Sequence, residues 1–156
     1  MAPIIPIECA ISIGNIQSQN IVVDKTYGDW AKTMGFKKGG CTYLFAEEAY
    51  YLLEKRLLQI KAIDCFGFIK NMLSIDPLFN VRRLQAYLML KQKEYIVQRA
   101  DEGFTIWKDE QSFQNSEGTK IIFPTEFSLS ILDKCKNEKI ALLCIEGTDM
   151  SILSIK

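Results

Sequence analysis

The stretch that decides the fold is FAEEAYYLLEKRLL, residues 45–58. Its apolar residues recur at the i, i+3, i+4 and i+8 spacing of an amphipathic helix: Ala49, Leu52, Leu53 and Leu57. Two glutamates stand in the first turn, where the helix macrodipole favours negative charge. The pattern therefore predicts a helix that packs one face against a core.

Further elements follow toward the C-terminus. The apolar spacing predicts a second helix over 64–74, with Asp64 as its N-cap, and a third helix over 80–94. Residues 95–99 and 104–107 are typical of two strands joined by a turn. Three short helices followed by a β-hairpin form the outline of a winged helix.

The last third of the chain has a different pattern. Residues 109–118 (DEQSFQNSEG) are polar and could mark a boundary between lobes. Beyond this segment the patterns predict the strand 119–123, the helix 125–136, and the strands 139–145 and 149–155. The last two strands are close enough in sequence to pair as a hairpin.

The residues before the first helix show no helical period. Short strands are predicted at 11–13 and 21–23, and Pro3 and Pro6 favour an extended arm at the N-terminus. Residues 30–40 are typical of a loop with a large aromatic anchor. We therefore predict an α+β fold. An N-terminal lobe over 1–103, with three helices and a hairpin, precedes a small α/β lobe over 104–156.

Composition excludes several kinds of function. The 156 residues are 48% apolar, and 19 basic residues balance 19 acidic ones, so a generally basic nucleic-acid coat is not expected. There is no histidine, which excludes Ser-His-Asp and Cys-His catalysis and His-ligated zinc. Neither G-x-G-x-x-G nor a P-loop is present. We predict no catalytic residue, no metal and no cofactor.

Five cysteines occur at wide spacings and without a C-x-x-C pair: Cys9, Cys41, Cys65, Cys135 and Cys144. An odd count with no preceding signal peptide favours reduced thiols in the nucleus or cytosol over a disulfide framework. No run of eighteen apolar residues is present, so no membrane span is expected.

Local charge gives candidates for RNA binding. Between residues 80 and 99 the sequence has a single acidic residue, Glu94, and five basic ones. The basic residues are Arg82, Arg83, Lys91, Lys93 and Arg99. The pair Lys37 and Lys38 is a second candidate. Each phosphate that such residues neutralise would steepen the salt dependence of binding. A solvated helix face explains the same charges equally well at this stage.

Two sequence segments carry a family resemblance. Residues 30–36 (WAKTMGF) resemble a Trp-x-x-Met-Gly-Phe segment with one extra residue in the spacer. Residues 44–54 (LFAEEAYYLLE) resemble a Leu-x-Pro-Glu-Glu-Ala-x-Tyr-Leu-Leu-Glu helix, with Ala46 in place of the proline. The two patterns that these segments resemble are those of the large non-catalytic subunit of the eukaryotic tRNA-splicing endonuclease.

The resemblance continues in order along the chain. Residues 90–99 are similar to the end of that family's third helix and its next strand, with Glu94 where a glycine usually precedes the tyrosine. Residues 104–107 (FTIW) resemble the Phe-x-Val-Tyr opening of its C-terminal lobe. The last two predicted strands resemble its closing pair. Family members typically carry a long insertion between the lobes, of which 109–118 would be all that remains in this compact or insertion-deleted form.

This resemblance implies a function without catalysis. The endonuclease cuts pre-tRNA at intron boundaries, and its catalytic subunits use a Tyr-His-Lys triad that this histidine-free chain lacks. Lys139 is near the family's lysine position. The implied role is a structural subunit of a nuclear heterotetramer, which scaffolds a catalytic paralogue and positions pre-tRNA. A membrane or a small-molecule substrate is not implied.

Subunits of this family pair through the C-terminal lobe. The last strand is apolar and uncharged, which is a liability at an exposed sheet edge and an advantage in strand addition. The expected partner interface consists of Met150, Ile152, Leu153 and Ile155.

Two other functions compete with this interpretation. A stand-alone winged-helix nucleic-acid-binding or adaptor protein would place the 80–94 helix in a groove. That alternative explains the helices and the hairpin but leaves the terminal strand pair without a purpose. A single-chain nuclease is disfavoured, because neither a histidine nor a carboxylate cluster at metal-ligand spacing is present.

Overall fold

The computed structural model describes residues 11–124, 128–147 and 149–154. The chain forms two compact units, Met1–Val81 and Arg82–Lys156. Five α-helices and two mixed five-stranded sheets are found in the described residues. The predicted α+β class is therefore confirmed. The proline-containing arm at the N-terminus lies outside the described residues.

The sheet of the first unit has the strand order β3-β4-β2-β1-β5. Its strands are β1 (Ser12–Gln17), β2 (Asn20–Val23), β3 (Phe36–Lys38), β4 (Cys41–Leu44) and β5 (Leu58–Ile60). Strand β5 pairs parallel to β1, and all other pairs are antiparallel. The sequence predicts strands at the positions of β1 and β2, whereas β3, β4 and β5 were not predicted.

Two helices complete the first unit, α1 (Ala46–Glu54) and α2 (Cys65–Ile75). The Asp64 carboxylate accepts a hydrogen bond from the Gly67 amide at 2.7 Å, which caps α2 as its N-cap position predicts. Leu52 of α1 and Phe68 of α2 are fully buried in the core. The helix predicted over 45–58 ends at Glu54, so Leu57 lies outside it and Leu58 begins β5. Of its predicted apolar face, Ala49 and Leu52 are buried and Leu53 is half-buried.

The sheet of the second unit has the strand order β10-β9-β8-β7-β6. Its strands are β6 (Ile96–Arg99), β7 (Gly103–Trp107), β8 (Thr119–Ile122), β9 (Ala141–Glu146) and β10 (Asp149–Ser154). The helices of this part of the chain are α3 (Val81–Gln92), α4 (Glu110–Asn115) and α5 (Leu129–Glu138). Strands β8 and β9 are parallel, and the other pairs are antiparallel.

Helices cover both faces of the second sheet. Tyr87 of α3 packs against Phe104 of β7, with ring centroids 5.8 Å apart. Phe104 and Ala141 are in register across the sheet, with β8 between them, so their side chains lie on the same face. Because side chains alternate along a strand, Leu142 lies on the other face of the sheet. There Leu142 forms a buried cluster with Cys135 of α5. The sheet is therefore sandwiched between α3 and α5.

The polar segment 109–118, predicted to carry the lobe boundary, contains the short helix α4. The Asp109 carboxylate caps this helix by accepting a hydrogen bond from the Ser112 amide at 2.7 Å, and the pKa of Asp109 is lowered by that bond. Phe113 packs edge-on against Trp107, with ring centroids 4.8 Å apart. The division between the two units falls earlier in the chain, between Val81 and Arg82.

The structure does not confirm the winged-helix-like arrangement of the N-terminal lobe. Helices α1 and α2 belong to the first unit, whereas the β6–β7 hairpin belongs to the second unit. Strand β7 also pairs with β8, so the hairpin is part of a larger sheet rather than a free wing. A sequence pattern predicts each hairpin but not the strand that pairs with it next.

Three helices end in the same left-handed turn without a glycine. The left-handed residues are Arg56 after α1 (φ 61°), Glu94 after α3 (φ 68°) and Lys139 after α5 (φ 57°). In each case the next amide donates to the carbonyl five residues earlier, as in a Schellman motif. Glu94 therefore has the left-handed conformation that favours glycine, at the position where the family that this chain resembles usually has a glycine. Its negative charge at a helix C-terminus is also unfavourable.

Replacing Glu94 by glycine should stabilise the protein. The left-handed conformation costs a residue with a side chain about 1–2 kcal/mol, and the larger entropy of glycine in the unfolded chain offsets part of this gain. We expect the free energy of unfolding of Glu94→Gly to rise by about 0.5–1 kcal/mol in urea titrations. Gln92→Gly, in the last turn of α3, is the control and should lower it. A destabilised Glu94→Gly variant would contradict this account of the helix end.

Candidate functional site

Glu48 holds two segments of the first unit together. One oxygen of its carboxylate accepts a hydrogen bond from the Gly35 amide at 2.6 Å, and the other accepts one from the Phe45 amide at 2.9 Å. The side chain is buried, and Phe45 is the N-cap of α1. We call this pair of hydrogen bonds the Glu48 clasp. It fixes the residues before β3 against the start of α1.

Gly35 is required where the clasp holds it. Its φ of 69° lies in the left-handed region, and a Cβ atom there would lie 2.4 Å from the Tyr43 carbonyl oxygen. Met34, the preceding residue, is buried in the core. The close approach of residue 35 to β4 therefore leaves room for glycine alone.

Loss of one acceptor should weaken the Glu48 clasp. Glu48→Gln keeps a carbonyl oxygen for one amide but turns an amide group toward the other, which leaves a buried donor unpaired. Such a loss costs about 1–3 kcal/mol, measured as the free energy of unfolding in urea. The control is Glu54→Gln at the exposed end of α1, which should change it by less than about 0.5 kcal/mol. Equal effects of the two substitutions would show that the clasp does not stabilise the fold.

The clasp also positions an aromatic cluster on the β3–β4 hairpin. Phe36 and Tyr43 are opposite each other in the register, with ring centroids 5.3 Å apart and ring planes at 13°. The Phe45 ring lies 5.7 Å from Phe36. We call these three side chains the aromatic face. A two-residue turn, Gly39-Gly40, joins the strands, and both residues have positive φ as such turns require.

The predicted RNA-binding residues fall into two groups in the structure. Lys37 and Lys38 are exposed on β3, next to the aromatic face, and the Lys37 ammonium donates to the Thr42 hydroxyl at 3.3 Å. The other five belong to the second unit. Of these, Lys93 is exposed in the turn after α3, whereas Lys91 and Arg99 are half-buried.

Arg83 has a structural position. It is 4% exposed, and its guanidinium donates to the backbone carbonyls of the β6–β7 turn, including that of Gly103 at 3.1 Å. The same group lies over the rings of Phe104 and Phe123, at 5.2 and 5.6 Å from their centroids. A phosphate cannot reach a guanidinium buried in this way, so we exclude Arg83 from the proposed RNA contacts.

Arg82 is also engaged with the backbone. Its guanidinium donates to the carbonyl oxygens of Phe123 at 3.1 Å and Pro124 at 3.0 Å, and the side chain is half-buried. These bonds anchor the chain after β8 to the start of α3. The count of basic residues in the sequence therefore overstates the charge that is accessible on α3.

Strand β10 is an outer strand of the second sheet as far as the described residues go. Among them it pairs only with β9, over six residues from Asp149 to Ser154. Met150 and Ile152 are half-buried, and Leu153 is 49% exposed. The fourth predicted interface residue, Ile155, lies outside the described residues. The edge thus offers unpaired backbone groups together with accessible apolar side chains.

Groups suited to catalysis or metal binding are not brought together in the described part of the chain. No group of three potential metal ligands occurs among residues 11–124, 128–147 and 149–154. Burial raises the pKa values of the Cys65 and Cys135 thiols, which favours the unreactive protonated form. Lys139 is exposed at the end of α5. Within the same residues, no helix is long and apolar enough to cross a membrane.

A scan against protein-family models finds no match for this chain, and a search of the curated proteins finds none either.

Proposed function

We propose that this protein is a non-catalytic subunit of the tRNA-splicing endonuclease complex, which scaffolds a catalytic paralogue and positions pre-tRNA for intron excision. The observation that carries the proposal is the Glu48 clasp. It joins the Met-Gly-Phe segment to the Glu-Glu-Ala helix, the two segments on which the resemblance depends.

The end of α3 gives independent support. Glu94 departs from the family's glycine, yet it has the left-handed conformation that a glycine would adopt without strain. The substitution therefore preserves the backbone path between the helix and β6. This is the behaviour expected of a family position whose residue has changed while its geometry has not.

The second unit is compatible with the proposed lobe. Its five-stranded mixed sheet lies between α3 and α5, and we propose that it is the endonuclease-like C-terminal lobe. The winged-helix-like N-terminal lobe remains a prediction from the sequence pattern of three helices and a hairpin. With no histidine in the chain, this lobe cannot supply the catalytic triad of the family. The proposed role is therefore architectural, in the nucleus and within a heterotetramer.

The proposed RNA contacts are the accessible members of the predicted set. Lys37, Lys38 and Lys93 are exposed, and Lys91 and Arg99 are partly accessible. Lysines at such positions bind phosphates without reading sequence, which suits a subunit that positions a folded RNA. No cofactor, metal ion or small-molecule substrate has a part in this role.

The stand-alone winged-helix alternative receives less support. It needs α3 to present basic residues to a groove, but the guanidinium groups of Arg82 and Arg83 bind backbone carbonyls instead. It also leaves the open edge of β10 without a purpose. We therefore place it second.

Substitutions on β10 test the proposed pairing. Ile152→Lys and Leu153→Lys should each abolish co-purification with the catalytic subunits of the same organism, because a charge would be buried at the added strand. The control is Leu129→Lys, an exposed apolar residue at the start of α5, which should leave co-purification unchanged. Thermal unfolding of each variant alone shows whether it remains folded. Wild-type recovery of both β10 variants would contradict pairing at this edge.

A further inference from the structure

We infer that the aromatic face of the β3–β4 hairpin binds unpaired RNA nucleotides by base stacking, with Phe36 as the principal platform. This inference goes beyond the proposed function, since the chain alone should show it. It also names an RNA feature, the unpaired nucleotide, which the scaffold role does not by itself require. The face lies wholly within the first unit.

The geometry of the rings suits stacking. The planes of Phe36 and Tyr43 differ by 13° and their centroids are 5.3 Å apart, so the two rings stack on each other across the hairpin. Phe45 supports Phe36 from the same face of the sheet at 5.7 Å. Aromatic side chains presented on a sheet surface are the usual platform on which single-stranded bases stack.

The aromatic face is accessible at Phe36. In the described part of the chain β3 is the edge strand of its sheet, and Phe36 is 41% exposed although it contacts two other rings. The adjoining turn is also uncrowded, because a Cβ atom at Gly39 or Gly40 would have no neighbour within 4 Å. A nucleotide could therefore approach both the ring and the backbone of the turn.

A basic residue beside the aromatic face favours the binding of an anion. Lys38 lies on the same face of β3 as Phe36, two residues along the strand, and Lys37 is exposed on the other face. An exposed lysine on the same face as the stacked rings suits the phosphate of a stacked nucleotide, and this lysine is Lys38. Lys37, on the other face, donates to the Thr42 hydroxyl.

The test uses the full-length chain and a fluorescein-labelled 12-nucleotide oligouridylate, followed by fluorescence anisotropy. Phe36→Leu keeps the apolar side chain but removes the π-face, and we expect it to weaken binding about fivefold or more. Phe36→Tyr keeps the ring and should restore near wild-type affinity. Lys38→Gln should reduce the slope of log K against log salt by about 0.7. An oligodeoxyuridylate of the same length distinguishes RNA from DNA.

The matched control is Phe66→Leu. Phe66 is also exposed in the first unit, and Lys70 lies 5.9 Å from its ring centroid, but no stacked pair supports it there in the described structure. This variant should bind the oligonucleotide as the wild type does. Thermal unfolding of all variants establishes that the changes in affinity come from folded protein.

Two results would overturn the inference. The first is no binding of the wild type to oligouridylate. The second is wild-type affinity of Phe36→Leu; if this variant also loses pairing with the catalytic subunits, the face is a protein-docking surface. Failure of the proposed function gives a different result from failure of this inference. If the proposed function is wrong, the chain does not co-purify with the catalytic subunits but still binds the oligonucleotide.

Discussion

The first unit depends on two hydrogen bonds to one buried carboxylate. Glu48 accepts the amides of Gly35 and Phe45, so it fixes the approach to β3 and the start of α1 at once. A buried carboxylate is costly unless such donors satisfy it, which is why its two partners are held so closely. The consequence for function is the aromatic face, since Phe36 and Phe45 follow directly from the positions that the clasp determines.

The second unit is organised around a sheet with an unprotected edge. Helices α3 and α5 cover its faces, and Arg83 binds the carbonyls of the β6–β7 turn, but among the described residues β10 has no partner on its outer side. Natural proteins commonly protect such edges with charge or with a partner. The sequence of β10 offers no charge between Met150 and Ser154, which supports the proposal that a partner strand pairs there.

Much of the fold could be predicted from the sequence, and the failures have physical causes. Helices α1, α2 and α3 have apolar periods, and the Asp64 cap of α2 can be predicted from the sequence. Strand β3 could not be predicted, because all three of its residues are exposed and no alternation of buried and exposed residues marks it. Its Gly39-Gly40 turn was a usable hairpin signal. The structural position of Arg83 could not be predicted, since a sequence gives the charge of a residue but not its burial.

The measurement that tests the central claim most directly is a reconstituted cleavage assay on an intron-containing pre-tRNA. The catalytic subunits of the same organism are expressed with and without this chain, and with their catalytic histidine intact or replaced by alanine. The account predicts accurate excision only when both this chain and the catalytic histidine are present. Full and accurate cleavage by the catalytic subunits without this chain would contradict it.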